Sequence, residues 1–291
     1  MKPKLRKQFI TALKITIGLF LIVWVLSKLD WEQIRHMLQK ANPLYFGGAI
    51  LLFLLSQLFS VFRFDVFIRN LGIRMSFQTN SKLYLLGMFY NFFLPGGVGG
   101  DAYKAYLLSQ SHEKSLKRVG KIVFLERLLG IVAIGFSLSI LLLFLETPFS
   151  FLWNAIISVF GLIGVFIVLK LISRWAHAHK KRVYIGFFYS IWVQFAQILC
   201  VLFILKSFQV EGNYIAYLFL FLISSVLSVL SFAGLGIREA VFYYGAIWFQ
   251  FNPDVSASVA LSFSLITALI SFSGIFFLFK SLRLSNKKTR L

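Results

Sequence analysis

Seven charged side chains stand in or beside long apolar stretches of this sequence: Arg63, Asp65, Asp101, Glu126, Arg127, Arg238 and Glu239. At the centre of a membrane helix each would cost about 2.5–3.5 kcal/mol on insertion scales, so their presence calls for pairing or for a polar lumen. Glu126 and Arg127 are about eight residues into their run, about 12 Å deep at helical rise and beyond easy snorkelling. A guanidinium offers a planar fork that matches phosphate oxygens, which makes Arg127 and Arg238 a candidate phosphate clamp. Asp101, Glu126 and Glu239 would balance those cations or receive an amine. The competing explanation is a set of structural ion pairs locking helices together. That explanation is preferred for Arg63 and Asp65, which lie near the end of their span, where snorkelling is cheap.

Two glycine motifs accompany these charges. The first runs Asn91-Phe92-Phe93-Leu94-Pro95-Gly96-Gly97-Val98-Gly99-Gly100-Asp101-Ala102-Tyr103-Lys104. Pro95 stops a helix, the glycines cannot sustain one, and Ala102 onward favours one. Backbone freed inside lipid costs several kcal/mol per group, so such an interruption must line protein or a hydrated cavity. The second runs Ala233-Gly234-Leu235-Gly236-Ile237-Arg238-Glu239-Ala240. A helix that begins at mid-depth presents unpaired N–H groups and its positive dipole end, and two such ends would make one anion pocket. The other use of these glycines is close helix packing. Asn91 can serve the freed backbone around Pro95 or a headgroup, and Lys104 can be a cavity residue or the first basic residue at the interface. The candidate substrate-binding set is therefore Asn91, Gly97, Gly99, Gly100, Asp101, Lys104, Glu126, Arg127, Gly234, Gly236, Arg238 and Glu239.

The elements that must hold this set are membrane helices. Of the 291 residues 59% are apolar and only 14% charged, a balance that soluble domains do not sustain. Runs of about 20 apolar residues, the length of a membrane helix, occur at roughly 9–26, 43–67, 118–145, 149–172, 183–206 and 256–280. The segments 80–108 and 214–250 carry the glycine motifs and are expected to form broken or re-entrant hairpins. The expected fold is an all-α polytopic membrane protein with six full spans, two such hairpins and a single transmembrane domain over 1–291. The first run is too long for a signal peptide and lacks a small-residue cleavage pattern, so it reads as an uncleaved anchor. Asp30–Lys40, with Trp31, Ile34 and Leu38 at helical spacing, reads as an interfacial helix.

Lys and Arg number 30 against 10 Asp and Glu. The excess gathers in the amino tail, in 104–121, in 170–182 and after 280, which places these segments and both termini in the cytoplasm. The hairpins must then enter from opposite faces. Landmarks near 9, 43, 97 and 118 recur near 149, 183, 234 and 256, which suggests pseudo-repeats 9–145 and 149–282 of opposite orientation, the layout of secondary transporters with a midplane site. No P-loop order is present, and one Cys with four His in polar connections leaves neither metal nor cofactor expected. Basic inner loops suit anionic membrane lipids, so no nucleic acid need be invoked.

At Asn91, Leu94-Pro95, Gly99-Gly100-Asp101, Lys104, Glu126-Arg127 and Gly234-Leu235-Gly236-Ile237-Arg238-Glu239-Ala240 the sequence resembles the transmembrane, flippase-like domain of the lysylphosphatidylglycerol synthase family. The resemblance covers nearly the whole chain. Lys104 stands where relatives often have Arg, and Ser231-Phe232 stand where a proline often precedes the second motif. The resemblance implies a role in moving or presenting a phosphate-headgroup lipid. In fused relatives a soluble domain after the membrane part transfers an amino acid to phosphatidylglycerol; here a stand-alone member without that domain is expected. The leading expectation is a lipid translocator of the inner or plasma membrane, handling an anionic or aminoacylated phospholipid. The headgroup would sit in a central polar cavity while the chains remain in lipid. Without an ATPase, net flow would follow a gradient or an ion. The rivals are an integral membrane enzyme or subunit in aminoacyl-phospholipid or glycolipid synthesis, with Glu126 or Glu239 as a base, and a structural assembly partner. A homo-oligomer and a separate lipid-modifying enzyme stay open as partners.

Overall fold

The computed structural model describes Glu32, Arg35 and residues 39–93, 98–147, 150–175, 180–228 and 236–277. The run 9–26, most of the segment 30–40 and the basic tail after 280 lie outside the described residues. The chain is a multi-pass membrane protein, all α, with no strand among the described residues. Among the described residues five stretches are long and apolar enough to cross a membrane: Pro43–Leu71, Leu116–Leu142, Phe151–Trp175, Lys180–Ser207 and Pro253–Phe277. They match five of the six expected spans.

The helices are α1 (Pro43–Ile68), α2 (Phe77–Phe93), α3 (Gly99–His112), α4 (Leu116–Leu142), α5 (Phe151–Trp175), α6 (Lys180–Ser207), α7 (Tyr214–Leu227), α8 (Ile237–Trp248) and α9 (Pro253–Phe272). Two of them start in the same way. Asn42 accepts the Leu44 N–H ahead of Pro43, and Asn252 accepts the Asp254 and Val255 N–H groups ahead of Pro253. Each Asn satisfies donors that the first turn leaves open, and each Pro occupies a position where its missing N–H costs nothing.

The most extensive helix contact joins α1 and α6. They run antiparallel: the Asn42 N–H donates to the Ser207 carbonyl at one end, and Arg182 donates to Asn70 at the other. Gly48 faces the Phe203 ring and Gly186 the Phe67 ring, so absent side chains let the two helices approach closely.

Both interrupted segments are helical hairpins. In α2–α3, Tyr90 stacks near Tyr103 with ring centroids 4.4 Å apart. In α7–α8, Leu220 lies against Gly245, and just beyond, Tyr217 stacks on Phe251. Because α2 begins where α1 ends, and α7 begins where α6 ends beside the start of α1, the hairpins enter from opposite ends of the bundle. Helix starts also recur: Phe77 and Tyr214, Gly99 and Ile237, and Leu116 and Pro253 are 137, 138 and 137 residues apart.

Two apolar clusters fill the interior. One gathers around Phe64, Phe67, Leu83, Leu108 and Leu129, the other around Phe53, Ile204, Phe221, Phe242 and Phe263. Tyr84 packs on the first and Met88 on the second, so the inner face of α2 follows the seam between them.

Candidate functional site

The seam holds the charges. Arg63 comes from the face of α1 that buries Ser56, Ser60, Phe64 and Phe67 at helical spacing. Its Nη2 and Nε donate to Glu126 Oε1 at 2.9 and 3.2 Å, and its Nη1 donates to Ser190 Oγ of α6 at 3.0 Å. One guanidinium thus ties α1 to α4 and α6. It does not snorkel as its position near the end of the span suggested: the residue is 7% exposed and Glu126 is 4% exposed, so the pair is closed from solvent. As an ion pair joining two helices it fits the structural reading, whereas Asp65 pairs only with Arg69 one turn on, in an exposed contact.

Lys104 lies on the inner face of α3. Its Nζ is 2.9 Å from Asp101 Oδ1 and 3.7 Å from Glu126 Oε2, and it sits over the Phe64 and Tyr84 rings at 4.7 and 4.8 Å. It is therefore a cavity residue rather than an interface anchor. Arg127 Nη1 donates to Asp101 Oδ2 at 3.1 Å. With a quarter of its side chain exposed, Arg127 is the most accessible of the five charges. Glu126 is ten residues into α4, about 15 Å from the start of the helix, so the network lies well inside the span.

Asn91 and the glycines shape the mouth of this network. Asn91 Oδ1 accepts the Gly100 N–H at 2.8 Å, satisfying one donor that the amino end of α3 leaves open. A Cβ on Gly100 would overlap the Gly87 carbonyl, so only glycine lets α3 start this close to α2. Arg63, Tyr84, Met88, Asn91, Asp101, Lys104, Glu126 and Arg127 together enclose a cavity of about 280 Å³. Its charged lining comprises three cations and two carboxylates. Asn91 therefore serves the freed backbone and the cavity at once.

The second motif is built differently. Gly236 has φ +83°, a left-handed value that favours glycine, and its N–H donates to Glu239 Oε2 at 2.6 Å. Glu239 Oε1 accepts from Ser264 Oγ at 2.9 Å. The carboxylate thus caps its own helix. Arg238 is buried with its guanidinium 4.7 Å above the Phe263 ring, and its Nε and Nη1 have no hydrogen-bond partner among the described residues. Arg238 and Glu239 are not among the residues that line the cavity of Arg127. Gly97 and Gly234 lie outside the described residues. Gly99 opens the first turn of α3 beside Gly100.

Residues 11–278 match the family described as the lysylphosphatidylglycerol synthase TM region. The chain belongs to that family. Similar curated relatives include the UPF0104 membrane protein MJ1595 of Methanocaldococcus jannaschii, 30% identical over 58% of this chain and 51% of that protein. Another is the UPF0104 membrane protein PH1989 of Pyrococcus horikoshii, 21% identical over 61% of this chain and 52% of that protein. The chain thus spans about half the length of the curated relatives it matches.

In this member of the lysylphosphatidylglycerol synthase TM family the cavity includes side chains that sequence reasoning passed over. From sequence Arg63 reads as a span-end residue, and Tyr84 and Met88 of the cavity, like Ser190 that accepts from Arg63, are not singled out. A signal for Arg63 was available. Ser56, Ser60 and Arg63 recur at three- and four-residue spacing in an otherwise apolar run, marking one polar stripe on α1. Nothing comparable marks Tyr84 or Met88, whose roles depend on which side of α2 faces the seam.

Proposed function

We propose that this chain moves a membrane lipid with an anionic phosphate headgroup across the bilayer, using the cavity of Arg63, Tyr84, Asn91, Asp101, Lys104, Glu126 and Arg127. The observation that carries this reading is the charge balance of that cavity. Among the described residues that line it, three cations, Arg63, Lys104 and Arg127, face two carboxylates, Asp101 and Glu126. A ligand that brings one negative charge would balance that lining. A phosphodiester headgroup brings one. Arg127, the most accessible cation, would receive it.

The recurrence of helix starts and the antiparallel α1–α6 contact support pseudo-repeats of opposite orientation that rock against each other about that contact. The basic segments 104–121 and 170–182 support a cytoplasmic side at the α2–α3 end, cytoplasmic termini and residence in an inner or plasma membrane. Anionic lipids are the expected partners.

The test is a scrambling assay in proteoliposomes containing fluorescent phosphatidylglycerol, comparing wild type with Arg127→Ala. The variant should lower headgroup movement about tenfold or more, the cost of roughly one charge-assisted contact. Equal rates would refute the role of Arg127. A chemically altered lipid recovered from the vesicles would favour the enzyme reading instead.

A further inference from the structure

Asp101 and Arg127 also border a second space, of about 500 Å³, between α3 and α4. Its remaining walls are apolar, formed by small residues (Ala102, Ala105 and Gly120) and by Val123, Phe124 and Leu128. The polar cavity and this groove meet at the Asp101–Arg127 pair and nowhere else along their linings. Val98 and Phe124 at the rim are each more than half exposed, so the groove opens sideways toward the bilayer.

We infer that this groove seats one hydrocarbon chain of the lipid whose phosphate is held at Arg127. The inference rests on the headgroup reading above and changes what it says of the substrate, since one chain is taken inside the protein instead of staying in bulk lipid. A diacyl phospholipid joins a charged head to an apolar chain at one point, and the two spaces join in the same way at one ion pair. Measured from Arg127, the groove follows α4 for about 10 Å back to Gly120 and about 6 Å on to Ile131. Gly120 keeps it open. A Cβ there would meet nothing within 4 Å, yet glycine is the least favourable non-proline residue inside a helix, so its lack of a side chain is accounted for by the space it leaves.

The test uses the full chain in phosphatidylglycerol vesicles with two probes: phosphatidylglycerol spin-labelled on one acyl chain, and water-soluble glycerophosphoglycerol, the same headgroup without chains. Gly120→Phe fills the groove without touching a charge. Gly164→Phe on α5, where a Cβ also meets nothing within 4 Å, makes the same change away from the groove. Gly120→Phe should lower the immobilised fraction of the chain-labelled lipid about tenfold, with Gly164→Phe and wild type alike. Glycerophosphoglycerol should bind equally to all three, and Arg127→Ala should lose both probes. Equal immobilisation by Gly120→Phe and Gly164→Phe overturns the groove while leaving the headgroup site intact. Glycerophosphoglycerol binding unchanged by Arg127→Ala overturns the headgroup reading itself. A photo-crosslink from position 124 to residues 9–26 of the same chain would show that the protein fills the groove and would also overturn the inference.

Discussion

Replacing Glu126 by Gln should act with opposite sign on stability and on anion affinity. Gln keeps the shape and one acceptor oxygen but removes the charge that faces Arg63 at 2.9 Å and Lys104 at 3.7 Å. At an effective dielectric near 20, unit charges about 3.5 Å apart interact by about 5 kcal/mol, and removing one partner of a buried pair typically costs about 3–5 kcal/mol. The two magnitudes agree, so unfolding in detergent should show Glu126→Gln less stable by about 3–5 kcal/mol. Arg63→Met should cost a similar amount. The double variant Arg63→Met/Glu126→Leu should recover most of the loss, because apolar groups of similar volume replace a buried pair at little net cost. Meanwhile the excess positive charge of the cavity rises from one to two, so Glu126→Gln should bind phosphatidylglycerol more tightly. If Glu126→Gln is within about 0.5 kcal/mol of wild type, or if the single variants add without coupling, the pair does not hold α1 to α4 as described. Weaker lipid binding by Glu126→Gln would refute the assignment of Glu126 as counter-charge.

Other outcomes follow from the same geometry. Gly100→Ala should lower the thermal midpoint and the yield of monodisperse protein, because its methyl group would enter the Gly87 carbonyl; an unchanged midpoint would contradict the close α2–α3 crossing. Asn91→Ala should cost about 1 kcal/mol in the same unfolding measurement through the lost acceptor for the Gly100 N–H, and an unchanged stability would contradict that cap. Arg238→Met should be neutral or stabilising. Two buried guanidinium nitrogens without partners among the described residues cost about 1–3 kcal/mol each, together more than the roughly 2 kcal/mol of a desolvated cation–π contact, and Met keeps a contact with Phe263. A loss above about 1 kcal/mol would mean that Arg238 has a stabilising partner in the membrane.

The spans were legible because a bilayer imposes one length and one polarity on every crossing, and α1, α4, α5, α6 and α9 fall where the apolar runs are. The hairpins were legible for a related reason: a proline followed by clustered glycines, as at Pro95-Gly96-Gly97, and a glycine pair, as at Gly234 and Gly236, interrupt an apolar run that would otherwise continue as one helix. The charges at Asp101, Lys104, Glu126 and Arg127 could be picked out because charge in an apolar run needs a partner. Which partner was another matter. Glu126 precedes Arg127 in the chain, yet on a helix neighbouring positions point about 100° apart. The fold turns Glu126 inward to Arg63, 63 residues earlier, and Arg127 toward Asp101 on α3.

The sequence by itself determined that this chain crosses a membrane repeatedly, that two segments are interrupted, and that a small set of buried charges must be reconciled, because hydropathy, helix-breaking chemistry and desolvation act locally. Only the tertiary structure decided how they are reconciled. The antiparallel α1–α6 contact carries Arg63 into the centre, the α2–α3 hairpin brings Asp101 and Lys104 to it, and Arg238 is left over an aromatic ring in the other half. Ion pairing depends on the positions of charged atoms to within an ångström or two, and that distance is set by helix packing over the whole bundle.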